Sequence, residues 1–467
     1  MEKVRRSAKT EVDLTEGSVF GKILAFALPL VLSNILQCLY NAADVIVVGR
    51  FAGELPLAAV GATSSIINLI INLFIALSVG TSVTVATAIG ARNRERTQKL
   101  IHTSIALALV CSVFVTLVGV LGARRFLIMM DTPADILDMA TAYMQIFFSG
   151  SLFSLLYNFG AAILRAAGDS RRPLIYLAVA GVINVLLNLF FVIVLEMTAS
   201  GVALATVLSQ AISATLVLIA LFRHTGDCRL SVKSLCFHGR ETWDILRTGL
   251  PAGVQSAIFS LSNTMIQTAV NSFDNSLIVA GNTAAMNIEG FVFTAMYAMH
   301  VTAVTAAGQN IGAGKYHRLN AVLRNCLLIV TLIGAVLGSL SYLFAEPLLG
   351  IYLPKSPEAI TYGVRRLAII GLSYFICGLM DTLVGFQRGM GNTLVPMVVS
   401  VLGVCGIRMV WIYTIFAAYP TLEVLFFSYP ATWLVTGIFQ FILCMIIKRR
   451  LVRRATNQKK EHERIAA

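Results

Sequence analysis

The chain has 467 residues, of which 57% are hydrophobic and 13% charged, with a formal net charge of +13. A soluble domain carries about 25% charged residues, so this composition, with a mean hydropathy of +0.81, excludes a soluble protein and points to one embedded in a bilayer.

In chain order, residues 1–19 read as a basic cytoplasmic segment. Glu11, Asp13 and Glu16 follow its basic start, and the first apolar run is too long for a signal core, so no removable signal peptide is expected. Crossing a bilayer takes about 20 apolar residues. Runs of that length fall near 20–43, 57–88, 97–122, 137–162, 173–195, 200–222, 245–271, 278–310, 320–344, 360–386, 394–418 and 424–447. The expected fold is an all-α integral membrane protein with twelve transmembrane helices. They form two pseudo-symmetric six-helix bundles, 20–222 and 245–447, with a plain cytoplasmic linker at 223–244 and a basic cytoplasmic tail at 448–467.

Lys and Arg near span ends favour the cytoplasm. With both termini inside, the inner segments hold 29 of these residues and the outer loops only six (Arg50, Arg124, Arg125, Lys355, Arg365 and Arg366). The positive charge is therefore a topology signal with a pull toward anionic lipid, not a nucleic-acid footprint. The eight cysteines, without a Cys-x-x-Cys pair, read as packing residues rather than a disulfide or metal framework.

Three landmarks recur in order. Pro29 returns as Pro251 and Ile89-Gly90-Ala91 as Ile311-Gly312-Ala313, both 222 positions on; Arg165-Ala166-Ala167-Gly168-Asp169 returns as Arg388-Gly389-Met390-Gly391-Asn392, 223 positions on. Six spans per half make the repeat parallel, and a site between equivalent bundles suits a transporter working by alternating access.

Ionisable residues inside spans cost about 2.5–3.5 kcal/mol at the membrane centre, so each needs a partner or a purpose. Asp44 ends a stripe of Asn34, Gln37 and Asn41 on one face of the first helix, bordered by Tyr40. It reads either as an ion switch, holding a proton or a transient Na+, or as a residue joining helices. Pro29, on the same helix, marks a bend that is either coupled to Asp44 or static. Asn184 and Asn188 on the fifth span, and Asn68 on the second, could complete the pocket or join helices.

In the second half, Asn263, Gln267 and Asn271 form a polar stripe preceded by Gln255, and Glu289, Phe293, Met296, Tyr297 and His300 share a face of the eighth span. An acid among aromatic and thioether groups suits an organic cation; the competing reading is ordinary core, with Glu289 paired to His300 or Arg408. Asp381 reads as a second titrating site or as the partner of Arg408. Arg165 and Arg388 read as turn and topology elements at helix ends, not as ligands.

Gln37-Cys38-Leu39-Tyr40-Asn41-Ala42-Ala43-Asp44 running into Val48-Gly49-Arg50-Phe51-Ala52-Gly53 resembles the first-helix signature of the multidrug and toxic compound extrusion (MATE) family. Gly90-Ala91-Arg92-Asn93, Gln309-Asn310-Ile311-Gly312-Ala313 and the segments ending at Pro173 and Pro396 extend the resemblance over about 20–450. It implies an antiporter exporting organic, often cationic, compounds against an inward proton or sodium gradient. It also implies the coupling role for Asp44 and the bend for Pro29. Many relatives carry an acid four residues after the fifth-helix asparagine; here Asn188 stands there, leaving Asp44 with amide partners alone.

Two rival functions differ in what they require. A flippase for a lipid-linked precursor would need a cationic cleft, whereas Asp44, Glu289 and Asp381 face only Arg408. An integral-membrane enzyme would need a nucleophile elbow or metal-spaced cluster, and neither appears, nor does a Walker motif. The expectation is a monomer in the cell membrane without a cofactor, with H+ or Na+ as coupling ion and a small organic molecule as cargo.

Overall fold

The computed structural model describes residues 11–354 and 356–466. The basic start before residue 11 and Lys355 lie outside the described residues, as do the side chains beyond residue 457, which include Lys459, Lys460 and Arg464 of the expected tail.

Among the described residues all regular structure is helical. The helices are α1 (Val19–Val47), α2 (Glu54–Gly90), α3 (Arg94–Met129), α4 (Ala134–Ser149), α5 (Ser151–Ala166), α6 (Arg171–Leu189), α7 (Ala199–Phe222) and α8 (Gly239–Asn271). They continue as α9 (Ser276–Gly312), α10 (Leu319–Leu343), α11 (Ala345–Tyr352), α12 (Pro357–Arg366), α13 (Leu372–Gly389), α14 (Leu394–Ser400), α15 (Ile407–Trp411) and α16 (Leu422–Ala466).

Ten spans are long and apolar enough to cross a membrane, and α4 with α5, bent by 43°, makes an eleventh. The twelfth expected span, 245–271, lies within α8, which has 33 residues but falls short in apolar character. The reason lies in its residues: Gln255, Asn263, Gln267 and Asn271 interrupt the apolar run.

The chain forms two compact units. Unit 1 holds residues 11–13 and Leu32–Gly253; unit 2 holds Leu14–Val31 and Val254–Ala467. The boundary therefore runs through α1 and α8, in each case two residues beyond a proline inside the helix, Pro29 or Pro251. A proline lacks the amide hydrogen and presses on the preceding turn, so these are points where a helix yields most easily.

The connection at 223–244, expected as a plain linker, packs against α3. Cys228 and Leu230 are buried, Gln98 donates to the Asp227 carbonyl at 2.6 Å, and the Ser231 amide donates to His102 Nε2 at 3.0 Å. Its last residues already belong to α8, where Asp244 accepts from Arg96 at 2.9 Å. Burial pushes the Cys228 thiol pKa up, so it packs as a small hydrophobe.

Two of the three repeated landmarks are helix ends; the third, Pro29 with Pro251, lies inside α1 and α8. After α5 the amide of Asp169 bonds the Leu164 carbonyl at 2.9 Å, with Gly168 at φ +91°; after α13 the amide of Asn392 bonds the Gln387 carbonyl at 3.1 Å, with Gly391 at φ +81°. This left-handed cap satisfies carbonyls that would otherwise be orphaned, and glycine adopts it without strain. Asp169 then accepts from the amides of Arg171 and Arg172, both at 3.1 Å, starting α6. Arg92 takes the same conformation at φ +52° without being glycine.

Five stretches are wound more loosely than an α-helix, as π-turns: Val48–Ala52, Phe190–Val194, Leu367–Gly371, Val401–Gly406 and Ile412–Phe416. Each lies within four residues of Asp44, Asn188, Arg366 or Arg408. Such turns often mark functional positions.

Candidate functional site

In unit 1 Asp44 is a half-buried acid well inside a membrane span, whereas the more deeply buried Asp169 sits at a helix end. Asp44 Oδ1 accepts from Asn188 Nδ2 at 2.6 Å and its Oδ2 from Thr206 Oγ1 at 3.1 Å, while Asn188 Nδ2 also reaches Asn184 Oδ1 at 3.1 Å. Asn184, Asn188 and Thr206 are all buried. Tyr40 is anchored close by, 2.6 Å from Ser209 Oγ, and Ser209 in turn donates to the Thr206 carbonyl at 2.9 Å. No cation lies within ion-pair distance of Asp44 among the described residues.

Helical spacing explains this cluster. Asn184 and Asn188 are one turn apart on α6 and present both amides to the same side. Thr206 was missing from the sequence-derived set, and the Thr206, Ser209, Ser213 stripe on α7 is the signal that could have found it. Gln37 and Asn41 do not reach Asp44; they touch each other at 3.5 Å, and Asn41 is exposed. Asn68 is exposed on α2 and joins no cluster.

Unit 2 corrects more of the expectations. Glu289 pairs with neither His300 nor Arg408 but with Arg366, through Nε to Oε1 at 2.9 Å and Nη2 to Oε2 at 2.7 Å. Arg366 had been assigned to an outer loop, yet it is 1% exposed. Its third edge donates to Asn282 Oδ1 at 2.7 Å, and Asn282 donates to Gln267 Oε1 at 3.1 Å. Two parallel bonds between planar groups make this the strongest polar contact in the unit, so Glu289 offers no open carboxylate to a cation.

The stripe expected around Glu289 also separates. Met296 is buried against Gly334 and Gly378, Phe293 is largely exposed, and Tyr297 stacks on His300 at 5.1 Å. Asp381 meets His300 Nδ1 at 3.2 Å and does not pair with Arg408. Arg388, read as a topology element, is buried and donates to Gln255 Oε1 at 2.8 Å. Arg408 is 3% exposed, lies 4.2 Å over the Tyr429 ring, and donates from Nη1 to Asn263 Oδ1 at 3.4 Å.

Among the described residues no three His, Cys, Asp or Glu side chains gather as a metal site, and all eight cysteines are free.

The family model MatE matches residues 29–190 and again 251–414. The chain belongs to the MatE family. MatE proteins are membrane transporters rather than enzymes, in keeping with an all-helical chain rich in apolar spans. The chain is 29% identical over 400 residues to the "Probable multidrug resistance protein NorM" of Thermotoga maritima, covering 83% of this chain and 84% of that one. It is 21% identical over 366 residues to a "FAD transporter" of Shewanella oneidensis, covering 77% and 79%. A solved structure of the outward-facing conformation of a multidrug resistance MATE family transporter superposes with a TM-score of 0.89 at 22% identity. That match covers 95% of this chain and 99% of the other, and it shows a shared MatE fold.

Proposed function

We propose that this MatE protein is a secondary active antiporter of the cell membrane that exports organic compounds in exchange for protons or sodium ions, with Asp44 carrying the coupling ion. The observation that carries this reading is the set of neutral partners around Asp44: one amide, one hydroxyl and no cation. A carboxylate kept in an apolar layer without a counter-charge is costly unless a proton or small cation joins it. Asn188 Oδ1 is buried without a hydrogen-bond partner. With Asp44 and Thr206 it supplies oxygens of the kind a hard cation takes, so the chemistry suits Na+ as well as H+.

The relatives' names support an organic cargo. A cationic cargo was expected chiefly from Glu289 and Asp381. Since Glu289 is closed by Arg366 and Asp381 lies against His300, that support now rests on Asp44 alone.

The test is efflux from proteoliposomes of an organic cation, ethidium, and of an organic anion, fluorescein, with proton and sodium gradients imposed separately. Asp44→Asn is expected to insert at the normal level and to lose gradient-driven efflux. A well-inserted Asp44→Asn protein that still responds to both gradients would remove the coupling role.

A further inference from the structure

Two arginines flank one aromatic ring in unit 2 and are dressed differently. Arg366 lies 5.2 Å and Arg408 4.2 Å from the centre of the Tyr429 ring. Each gives Nη1 to an asparagine side-chain oxygen, Arg366 to Asn282 at 2.7 Å and Arg408 to Asn263 at 3.4 Å. In Arg366 the remaining edge, Nε with Nη2, grips both oxygens of Glu289. In Arg408 the corresponding edge meets no acceptor among the described residues: Nε is buried without a partner, and the guanidinium donates only to Asn263 among them.

Two arginines of the unit, Arg388 and Arg408, have no carboxylate partner and a buried, unpartnered Nε, but Arg388 engages both Nη atoms, on His300 and Gln255, whereas Arg408 engages Nη1 alone. Glu289 is taken by Arg366, and Asp381 lies on His300, while Arg388 turns to Gln255. A buried guanidinium without an acid costs several kcal/mol, and a hydrophobic residue of similar size would avoid that cost. The Nε/Nη2 edge is a planar fork matched to two oxygens of one carboxylate. Asn263 is itself exposed, so the guanidinium sits just beneath an open surface.

We propose that Arg408, backed by Tyr429, is an anchor for the carboxylate of an organic anion carried as cargo, filling the place that Glu289 fills on Arg366. This deepens the antiporter reading, on which it rests, by naming a cargo class. Tyr429 packs edge-on to Trp433 at 5.6 Å, which leaves the ring held while its face supports the cation.

The probes are 1-naphthoate and 1-naphthamide, which share a ring system and differ in charge, titrated calorimetrically onto the full-length purified protein. Naphthoate is expected to bind roughly tenfold more tightly, the scale of a charge-assisted hydrogen bond. Arg408→Met should erase the preference, and Arg408→Lys should keep part of it. Because Arg408→Met removes an unpaired charge, it should remain monodisperse, and Arg408→Gln serves as a second variant if it does not. Equal binding of the two probes, or a preference that survives loss of Arg408, overturns the proposal. So does a preference abolished by chloride alone, which would mark a site for an inorganic ion. Asp44→Asn should keep the naphthoate preference while losing gradient-driven efflux, so failure of ion coupling and failure of the anion site are read separately.

Discussion

Unit 1 sets a span carboxylate, Asp44, among amides and a hydroxyl, whereas unit 2 buries the guanidiniums of Arg366, Arg388 and Arg408 beside the carboxylates Glu289 and Asp381. The first arrangement leaves a charge that a mobile ion can complete. The second closes one pair, Glu289 with Arg366, and leaves Arg388 and Arg408 without a carboxylate. Two halves with repeated landmarks thus carry opposite polarity inside.

The largest test of this contrast is the closed pair. Glu289→Ala should destabilise the protein by about 3–5 kcal/mol, because it strands Arg366 in the interior. Joint replacement, Glu289→Leu with Arg366→Met, should recover most of that loss. Denaturant unfolding in detergent checks both; a double variant no more stable than the single one would show that the pair is not a self-contained unit.

A smaller effect is expected where the two caps differ. Gly391→Ala should cost about 1–2 kcal/mol from backbone strain alone, since nothing lies within 4 Å of the added carbon. Gly168→Ala should cost more, because that carbon would run into the Val12 backbone. Thermal unfolding of the two variants side by side reads the order, and equal losses would mean the Val12 contact gives way freely.

The smallest effect should come from the neighbour of Arg366. Arg365 pairs with Glu423 at 3.2 Å with both side chains about half exposed, and such pairs contribute about 0–1 kcal/mol. Arg365→Ala should therefore leave stability and transport near normal, in contrast to any change that strands its buried neighbour.

The apolar runs and the repeated caps were legible in sequence because each depends on local chemistry: hydropathy over about 20 residues, or a glycine where φ is positive. Asp44, Asn184 and Asn188 could be named because carboxylate and amides stand out in apolar helices. Thr206 was passed over despite its α7 stripe, since a hydroxyl is common inside such helices and usually bonds its own backbone, as Thr206 also does to Val202 at 2.9 Å. Arg366 was misread because it follows Arg365 at the edge of a span, where snorkelling to water is the usual outcome. Its partner Glu289 is 77 positions away, and no local pattern reports a contact of that range. The loose turns were equally hidden, because hydropathy does not reveal one extra residue in a helical turn.

Those turns set the azimuth of the charges beside them. An α-helix advances about 100° per residue, so moving a π-turn past a residue swings that residue by about that amount while the register beyond it is kept. Arg366 directly precedes one such turn, and Arg408 lies between two. For these side chains, a migrating bulge can redirect a guanidinium without unwinding its helix.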